Sequence, residues 1–130
     1  MDTPPIAERQ EVVSGLLYRR IPNWEGYFDY EADRPDILTF TPRPQDAGCL
    51  SAHLDADEAA VELSLTKHRG FGLCALDIGR IKVETGGVVW VEPAPSARAR
   101  SHVRVHNCDS IEVQEKLARI AQIARRPERK

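Results

Sequence analysis

Proline and glycine interrupt this 130-residue chain at short intervals, and their spacing limits every helix and strand to a short segment. Pro22 and Pro42 each follow a run suited to a strand, and proline removes a backbone donor that a sheet needs. Gly70 follows a helical pattern, and Gly86 and Gly87 have the backbone freedom that tight hairpins require. The apolar runs are well short of the roughly 20 residues of a spanning helix. We therefore expect short elements and no membrane segment.

Seven of these segments have the composition or alternation of β-strands. A turn at Gly79 and a hairpin at Gly86 and Gly87 join three of them in a meander, while the aromatic and acidic segment 23–35 shows neither period and is expected to be an irregular loop. The predicted strands are 16–21, 37–41, 49–54, 71–79, 80–85, 88–92 and 101–107.

Two segments have helical spacing. The first, about 56–68, starts with acidic residues and has Asp55 or Asp57 as its cap, and we interpret its acidic cluster as capping rather than cation binding. The second, about 110–126, follows Asp109, which has the capping-box spacing to Glu112. The sequence thus predicts an α+β fold, a mostly antiparallel sheet of five to seven short strands covered on one face by two helices.

Length and composition indicate one domain. We expect a single domain over 15–126, a frayed lead-in over 1–14 and a mobile basic tail over 127–130. The net charge of −2 and pI near 6.1 make nucleic acid an unlikely partner. Cysteine occurs three times without C-x-x-C spacing, and the polar N-terminus has no apolar signal region, so we expect a cytoplasmic protein with reduced, mostly buried thiols.

The segment RSHVRVHNCD, residues 100–109, holds the densest group of chemically active side chains. If it is a strand, His102, Arg104 and His106 share one face, and two valines lie on the other. Four residues of strand span about 13 Å at roughly 3.3 Å each, too far for both imidazoles to bind one ion. We predict no metal site, and the pair His106 and Cys108 is the only one there close enough to share an ion.

Two interpretations of this segment stay open. His102 or His106 is an acid or base beside Arg98, Arg100 and Arg104, which would hold a phosphate or carboxylate. Alternatively, the same residues are a solvated strand face. Trp24, in the predicted loop, is either a partial lid or an anchor for a partner.

The order of "LLYRRI", "FTPRP", "LSA", the helix with "EAAVEL" and "FGLCALDIG" resembles the RES-domain and wider ADP-ribosyltransferase-like toxins. That resemblance implies that an early arginine, a polar strand residue and a glutamate gather around NAD. It places Arg19, Arg43, Ser51 and Glu62 at that site. Most of the chain is also similar to small bacterial proteins of unknown activity.

The sequence leaves two hypotheses of function. The first is a non-enzymatic accessory module of the bacterial cytoplasm, without cofactor, which binds another protein through Trp24 and residues 98–106. It would belong to a toxin–antitoxin, immunity or defence locus. The second is an enzyme acting on NAD or a phosphoester, in which Arg19 or Arg104 holds the anion and Glu62, His102 or His106 moves protons. A concave pocket beside a buried carboxylate favours the enzyme, and a flat surface favours the module.

Overall fold

The computed structural model describes residues 9–129, which form an α+β domain around a six-stranded sheet, as the sequence predicts. Every pairing in the sheet is antiparallel, and the strand order is β6-β7-β4-β1-β5-β8. A separate two-stranded ribbon, β2 with β3, lies in the segment predicted as an irregular loop. The strands are β1 (Leu16–Ile21), β2 (Phe28–Asp29), β3 (Arg34–Pro35), β4 (Leu50–His53), β5 (Gly72–Asp77), β6 (Trp90–Pro93), β7 (His102–His106) and β8 (Gln122–Arg125). The α-helices are α1 (Ala56–Leu63), α2 (Ile78–Glu84) and α3 (Ile111–Ile120).

The helices cover both faces of the sheet. Leu73 of β5 packs in one cluster with Ala59 and Leu63 of α1. Cys74 is the next residue of β5 and packs in the main core with Leu117 of α3. Since successive side chains of a strand point to opposite faces, α1 and α3 lie on opposite sides. The prediction that both helices cover one face is wrong.

Two predicted strands are helical because an aspartate caps each of them. The Asp36 carboxylate accepts a hydrogen bond from the amide of Ile37, and Ile37–Phe40 forms a 3₁₀ helix where a strand over 37–41 was predicted. Asp77 accepts one from the amide of Arg80 and begins α2, so Gly79 is helical and the strand predicted at 80–85 does not form. A side-chain acceptor at the first turn favours a helix even where β-branched residues follow.

Both predicted helices are shorter than expected. Asp55 caps α1 as predicted, but the helix ends at Leu63, where Ser64 bonds back to Val61. The cap of α3 is Ser110 rather than Asp109, since the Ser110 hydroxyl accepts from the amide of Val113. Residues 122–125 leave the helix to form β8, because the outer edge of β5 offers them backbone hydrogen bonds.

The ends of the described chain are attached to the domain. Residues 1–8 of the predicted lead-in lie outside the described residues, but within the rest of it the Val12 amide donates to the Val91 carbonyl at 2.9 Å and forms a bridge with β6. The amide of Glu128 donates to the carbonyl of Gly70 at 2.8 Å, which holds the predicted mobile tail; Lys130 is not described. From residue 9 to residue 129, no helix has the length and apolarity needed to cross a membrane.

Candidate functional site

A cavity of about 350 Å³ lies where β1 and β4 separate. The two strands share one register pair, Tyr18 with His53, whereas β1 pairs with β5 along all six of its residues. Arg19 and Ser51 line the resulting opening, and Thr39 of the 3₁₀ helix forms another part of its wall. The volume is at the lower end of the range of small-molecule pockets, roughly 300–1,000 Å³.

Arg19 is a partly buried cation of this cavity without a carboxylate partner. Its Nε donates to the Thr39 carbonyl and its Nη1 to the Ser51 carbonyl, each at 2.7 Å. Within residues 9–129, no aspartate or glutamate forms an ion pair with it. Burial, together with the neighbouring Arg20 charge, lowers the pKa of Arg19 to about 10, so the guanidinium stays charged at neutral pH. A partly desolvated cation with only neutral partners attracts an anion.

Further cationic and aromatic side chains line the cavity. Its other basic side chains are those of Arg20, Arg43 and Lys67. Among the described residues, Asp46 is the one acidic side chain that lines the cavity. The Asp46 carboxylate forms an ion pair with Arg43, whose Nε lies 2.9 Å away. The aromatic side chains are Trp24, Tyr27 and Phe71, and the Trp24 ring packs edge to face against both of the others at about 5.5 Å. The cavity therefore combines anion-binding groups with a surface for a planar ring.

A recess of about 130 Å³ adjoins the cavity through two shared residues, Arg20 and Ser51. It contains the carboxylate of Glu62, which is bonded by Arg20 on one oxygen and by His53 on the other. The His53 hydrogen bond and the Arg20 charge outweigh burial and lower the pKa of Glu62 to about 2. Glu62 is therefore an ionised carboxylate at neutral pH and cannot act there as an acid.

Two histidines face this recess. His53, which the sequence analysis missed, is buried, and its ring centroid lies 5.6 Å from that of His102. The Nδ1 of His102 lies 2.9 Å from the Ala94 carbonyl, which can only accept a hydrogen bond. The neutral ring of His102 therefore carries its proton on Nδ1, and its Nε2 has a free lone pair. His53 is opposite His102 in the β4–β7 register, so only the strand pairing could have identified it.

The residues implied by the toxin resemblance lie around these two hollows. Arg19, Arg43 and Ser51 line the cavity, and Glu62 lines the recess together with Ser51. Arg19 bonds the backbone of Ser51, while Arg43 is paired with Asp46. The structure thus brings the four residues together without testing the chemistry that the resemblance implies.

His106 lies in a third arrangement, around Cys49. Its ring stacks on Trp90 at 4.2 Å, Nε2 lies 2.9 Å from Glu92 Oε1, and Nδ1 lies 3.3 Å from the Cys49 Sγ. His106 and Cys108, the one pair of that segment close enough to share an ion, point apart, because the Cys108 thiol is in the core and contacts backbone carbonyls. All three cysteines are free and buried, as expected. Cys49 differs from the others because it also lines the cavity.

The segment of residues 102–106 is an extended strand, which confirms the prediction. Val103 and Val105 are buried, Arg104 is exposed, and no group of three or more metal-ligating side chains is found over residues 9–129. Arg98 and Arg100 are exposed in the loop before β7. Since β7 runs parallel to β1, this loop and Trp24 leave the sheet at opposite ends, so Arg98 and Arg100 are separated from Trp24 within the interaction face predicted from the sequence.

No known protein family, curated protein or solved structure was found to match the chain. The resemblance to RES-domain and ADP-ribosyltransferase-like toxins stays a prediction.

Proposed function

We propose that the protein is an enzyme that binds a nucleotide phosphoester, with NAD as one candidate, in the Arg19 cavity. The observation that carries this proposal is the Arg19 guanidinium, held by two carbonyls and without a carboxylate partner among the described residues. A phosphate group would complete its coordination, since guanidinium and phosphate form charge-assisted, paired hydrogen bonds.

The aromatic part of the wall favours a nucleotide over a simple inorganic anion. The Trp24 side chain is 49% exposed, and it lines the cavity beside Tyr27. Exposed aromatic rings bind planar bases by stacking, which contributes about 1–3 kcal/mol per base. A nucleotide would place its phosphates on Arg19 and Lys67 and its base on Trp24.

The adjoining recess supplies groups for a reaction. Glu62 is ionised and has unused acceptor capacity, because a carboxylate has about four acceptor positions and two are occupied. It would accept a sugar hydroxyl or stabilise positive charge that develops on the ligand. His102 Nε2, with its free lone pair, would act as the base. Arg19 therefore binds, Glu62 stabilises charge and His102 moves the proton.

The accessory-module hypothesis, with a protein partner in a bacterial cytoplasm, also stays a prediction. The exposure of Trp24, Arg98 and Arg100 is compatible with it. We rank it second, because Arg98 and Arg100 lie at the end of the sheet opposite Trp24, whereas the cavity and the recess adjoin.

Isothermal titration calorimetry with ADP, ADP-ribose and NAD tests binding, and chromatography for released nicotinamide or phosphate tests turnover. We expect saturable binding of at least one of these ligands, and an affinity reduced at least tenfold in Arg19→Lys, which lacks the planar fork of arginine. Arg80→Lys, on α2 and outside the cavity, is the matched control and should bind like the wild type. Absence of binding by all three ligands, or equal affinity of both variants, would overturn the proposal.

A further inference from the structure

Cys49 is a thiol in contact with both the ligand cavity and a histidine. The residue forms part of the cavity wall, and its Sγ lies 3.3 Å from Nδ1 of His106, 57 residues away in the sequence. Cys74 and Cys108 do not line the cavity, and their thiols contact only backbone carbonyls. Cys49 is thus the one thiol of the three that combines a histidine neighbour with a place in the cavity wall.

The position of the proton on His106 follows from its second partner. Nε2 lies 2.9 Å from the Glu92 carboxylate, and an ionised carboxylate can only accept a hydrogen bond. In the neutral ring, Nε2 therefore carries the proton and donates it to Glu92. Nδ1 then has a free lone pair, which faces the Cys49 thiol. A nucleophile, a base and a group that orients the base are the parts of an activated thiol site.

The His106 ring is fixed in this orientation by Trp90. The two rings are 4.2 Å apart and inclined by only 7°. The Arg9 guanidinium lies over the Trp90 ring at 4.1 Å, so the residues before β1 contribute to the same arrangement. The ring of His106 therefore cannot turn away from Cys49 without losing both the stacking and the Glu92 hydrogen bond.

We propose that Cys49 is a nucleophile, that His106 is its base and that Glu92 positions His106, and that the substrate is an ester or thioester with an anionic group. The anionic group is the part that rests on the proposed function, since it would bind to the Arg19 side of the cavity. The thiol chemistry itself depends only on Cys49, His106 and Glu92.

The resting state and the reaction step are consistent with each other. Burial raises the pKa of the Cys49 thiol, so Sγ keeps its proton until a base removes it. As Sγ attacks the carbonyl carbon, the proton moves to His106 Nδ1 and an S–C bond forms. The bond from carbon to the leaving oxygen or sulfur then breaks, and the leaving group takes the proton from His106. Water, deprotonated by His106, hydrolyses the resulting acyl-thiol and restores the free thiol.

Charged groups around the thiol also affect its titration. Arg104 favours the thiolate, while nearby carboxylates disfavour it. These carboxylates belong to Glu92, Asp46 and Asp109. A base that accepts the thiol proton is therefore needed, and His106 is the neighbour in hydrogen-bond contact that can do so.

Acetylation by p-nitrophenyl acetate, followed by intact-protein and peptide mass spectrometry, tests the proposal. We expect a burst of p-nitrophenolate and an acetyl group on Cys49. Acetylation should be at least tenfold slower in His106→Asn, and equal to the wild type in Cys108→Ala, which removes a core thiol nearby. Glu92→Gln keeps an oxygen acceptor and should retain most of the rate, whereas Glu92→Ala should lose it.

The pH dependence separates activation by His106 from simple exposure of the thiol. In the wild type, acetylation should already proceed at neutral pH, because His106 accepts the thiol proton during the attack. In His106→Asn the rate should rise only as the thiol itself ionises, and burial raises the pKa of that thiol above its usual value. The proposal is overturned if folded wild type is not acetylated at Cys49, or if its rate follows thiol ionisation alone.

Two alkylating reagents distinguish the proposed thiol chemistry of Cys49 from anion binding at Arg19. Iodoacetamide is neutral and iodoacetate is anionic, so the ratio of their rates at Cys49 reports the charge of the cavity. Arg19→Gln, which removes the positive charge, should lower the relative rate of iodoacetate without changing the effect of His106. An unchanged ratio contradicts the anion site, whereas loss of the His106 effect contradicts the thiol site.

Discussion

Arg19 donates a hydrogen bond from Nη1 to the Ser51 carbonyl at 2.7 Å, across the opening between β1 and β4. The two strands share only the register pair of Tyr18 with His53. The Arg19 side chain connects β1 to the Ser51 carbonyl of β4 at a position where the two strands are not paired. The same side chain therefore contributes to the sheet and provides the cation of the cavity. Arg19 therefore stabilises the fold at the same position where we propose that an anion binds.

Arg19→Ala should lower the free energy of unfolding by about 2 kcal/mol, because it leaves two carbonyls without their donor. Urea unfolding followed by circular dichroism measures this change. Arg80→Ala removes a surface arginine that is 3.8 Å from Glu84 and should change stability by no more than about 0.5 kcal/mol. Equal effects of the two substitutions would show that the Arg19 hydrogen bonds do not stabilise the fold.

Glu62→Gln should destabilise the protein at neutral pH by about 1 kcal/mol, a modest value because the carboxylate is partly solvated. The pKa of Glu62 is lowered from 4.5 to about 2, so its contribution is complete above about pH 4.5 and is lost as the pH falls towards 2. The difference in unfolding free energy between wild type and variant should therefore shrink between pH 6 and pH 3. Glu115→Gln, on the exposed side of α3, should show no such pH dependence.

Ser110→Ala should cost about 1 kcal/mol, since the Ser110 hydroxyl caps α3 by accepting from the Val113 amide at 3.1 Å. Asp109→Ala should have a clearly smaller effect, although the sequence alone indicates Asp109 as the cap. Thermal unfolding of the two variants compares the positions directly. A larger loss for Asp109→Ala would mean that α3 begins one residue earlier than the structure shows.

Gly72→Ala should detach β8 from the sheet. A Cβ at this position would lie 2.5 Å from the Arg125 carbonyl oxygen and 2.5 Å from the Pro127 nitrogen, and both are backbone atoms that cannot move alone. Hydrogen exchange should become faster over residues 122–129 and change little in β4 and β7. Unchanged protection of residues 122–129 would contradict the observed contact of β8 with β5.

Local signals predicted the elements that depend mainly on their own residues. The composition of β1, the apolar run of β5 and the Asp55 cap of α1 are readable in the sequence because each depends on neighbouring residues. The segments Ile37–Phe40 and α2 were mistaken for strands because β-branched and aromatic residues fit both structures. Their caps, Asp36 and Asp77, were the signals that could have corrected this.

The other wrong predictions concern residues whose conformation depends on tertiary contacts. Nothing in residues 122–125 predicts a strand, because their conformation depends on the free edge of β5. The residues of the candidate site divide in the same way, into those that a sequence pattern indicates and those that only the fold brings together. The toxin resemblance selects Arg19, Ser51 and Glu62, but Cys49 meets its partner only through a contact 57 residues away in the sequence. Such a contact cannot be predicted without the strand register.

The most direct test of the anion site is the fluorescence of Trp24, titrated with ADP and with adenosine in a Trp90→Phe background. Both ligands carry the same base, and only ADP carries phosphates for Arg19. The account predicts saturable quenching by ADP, with an affinity at least tenfold higher than that for adenosine, and loss of this preference in Arg19→Gln. Equal affinities for ADP and adenosine, or no quenching by either ligand, would contradict it.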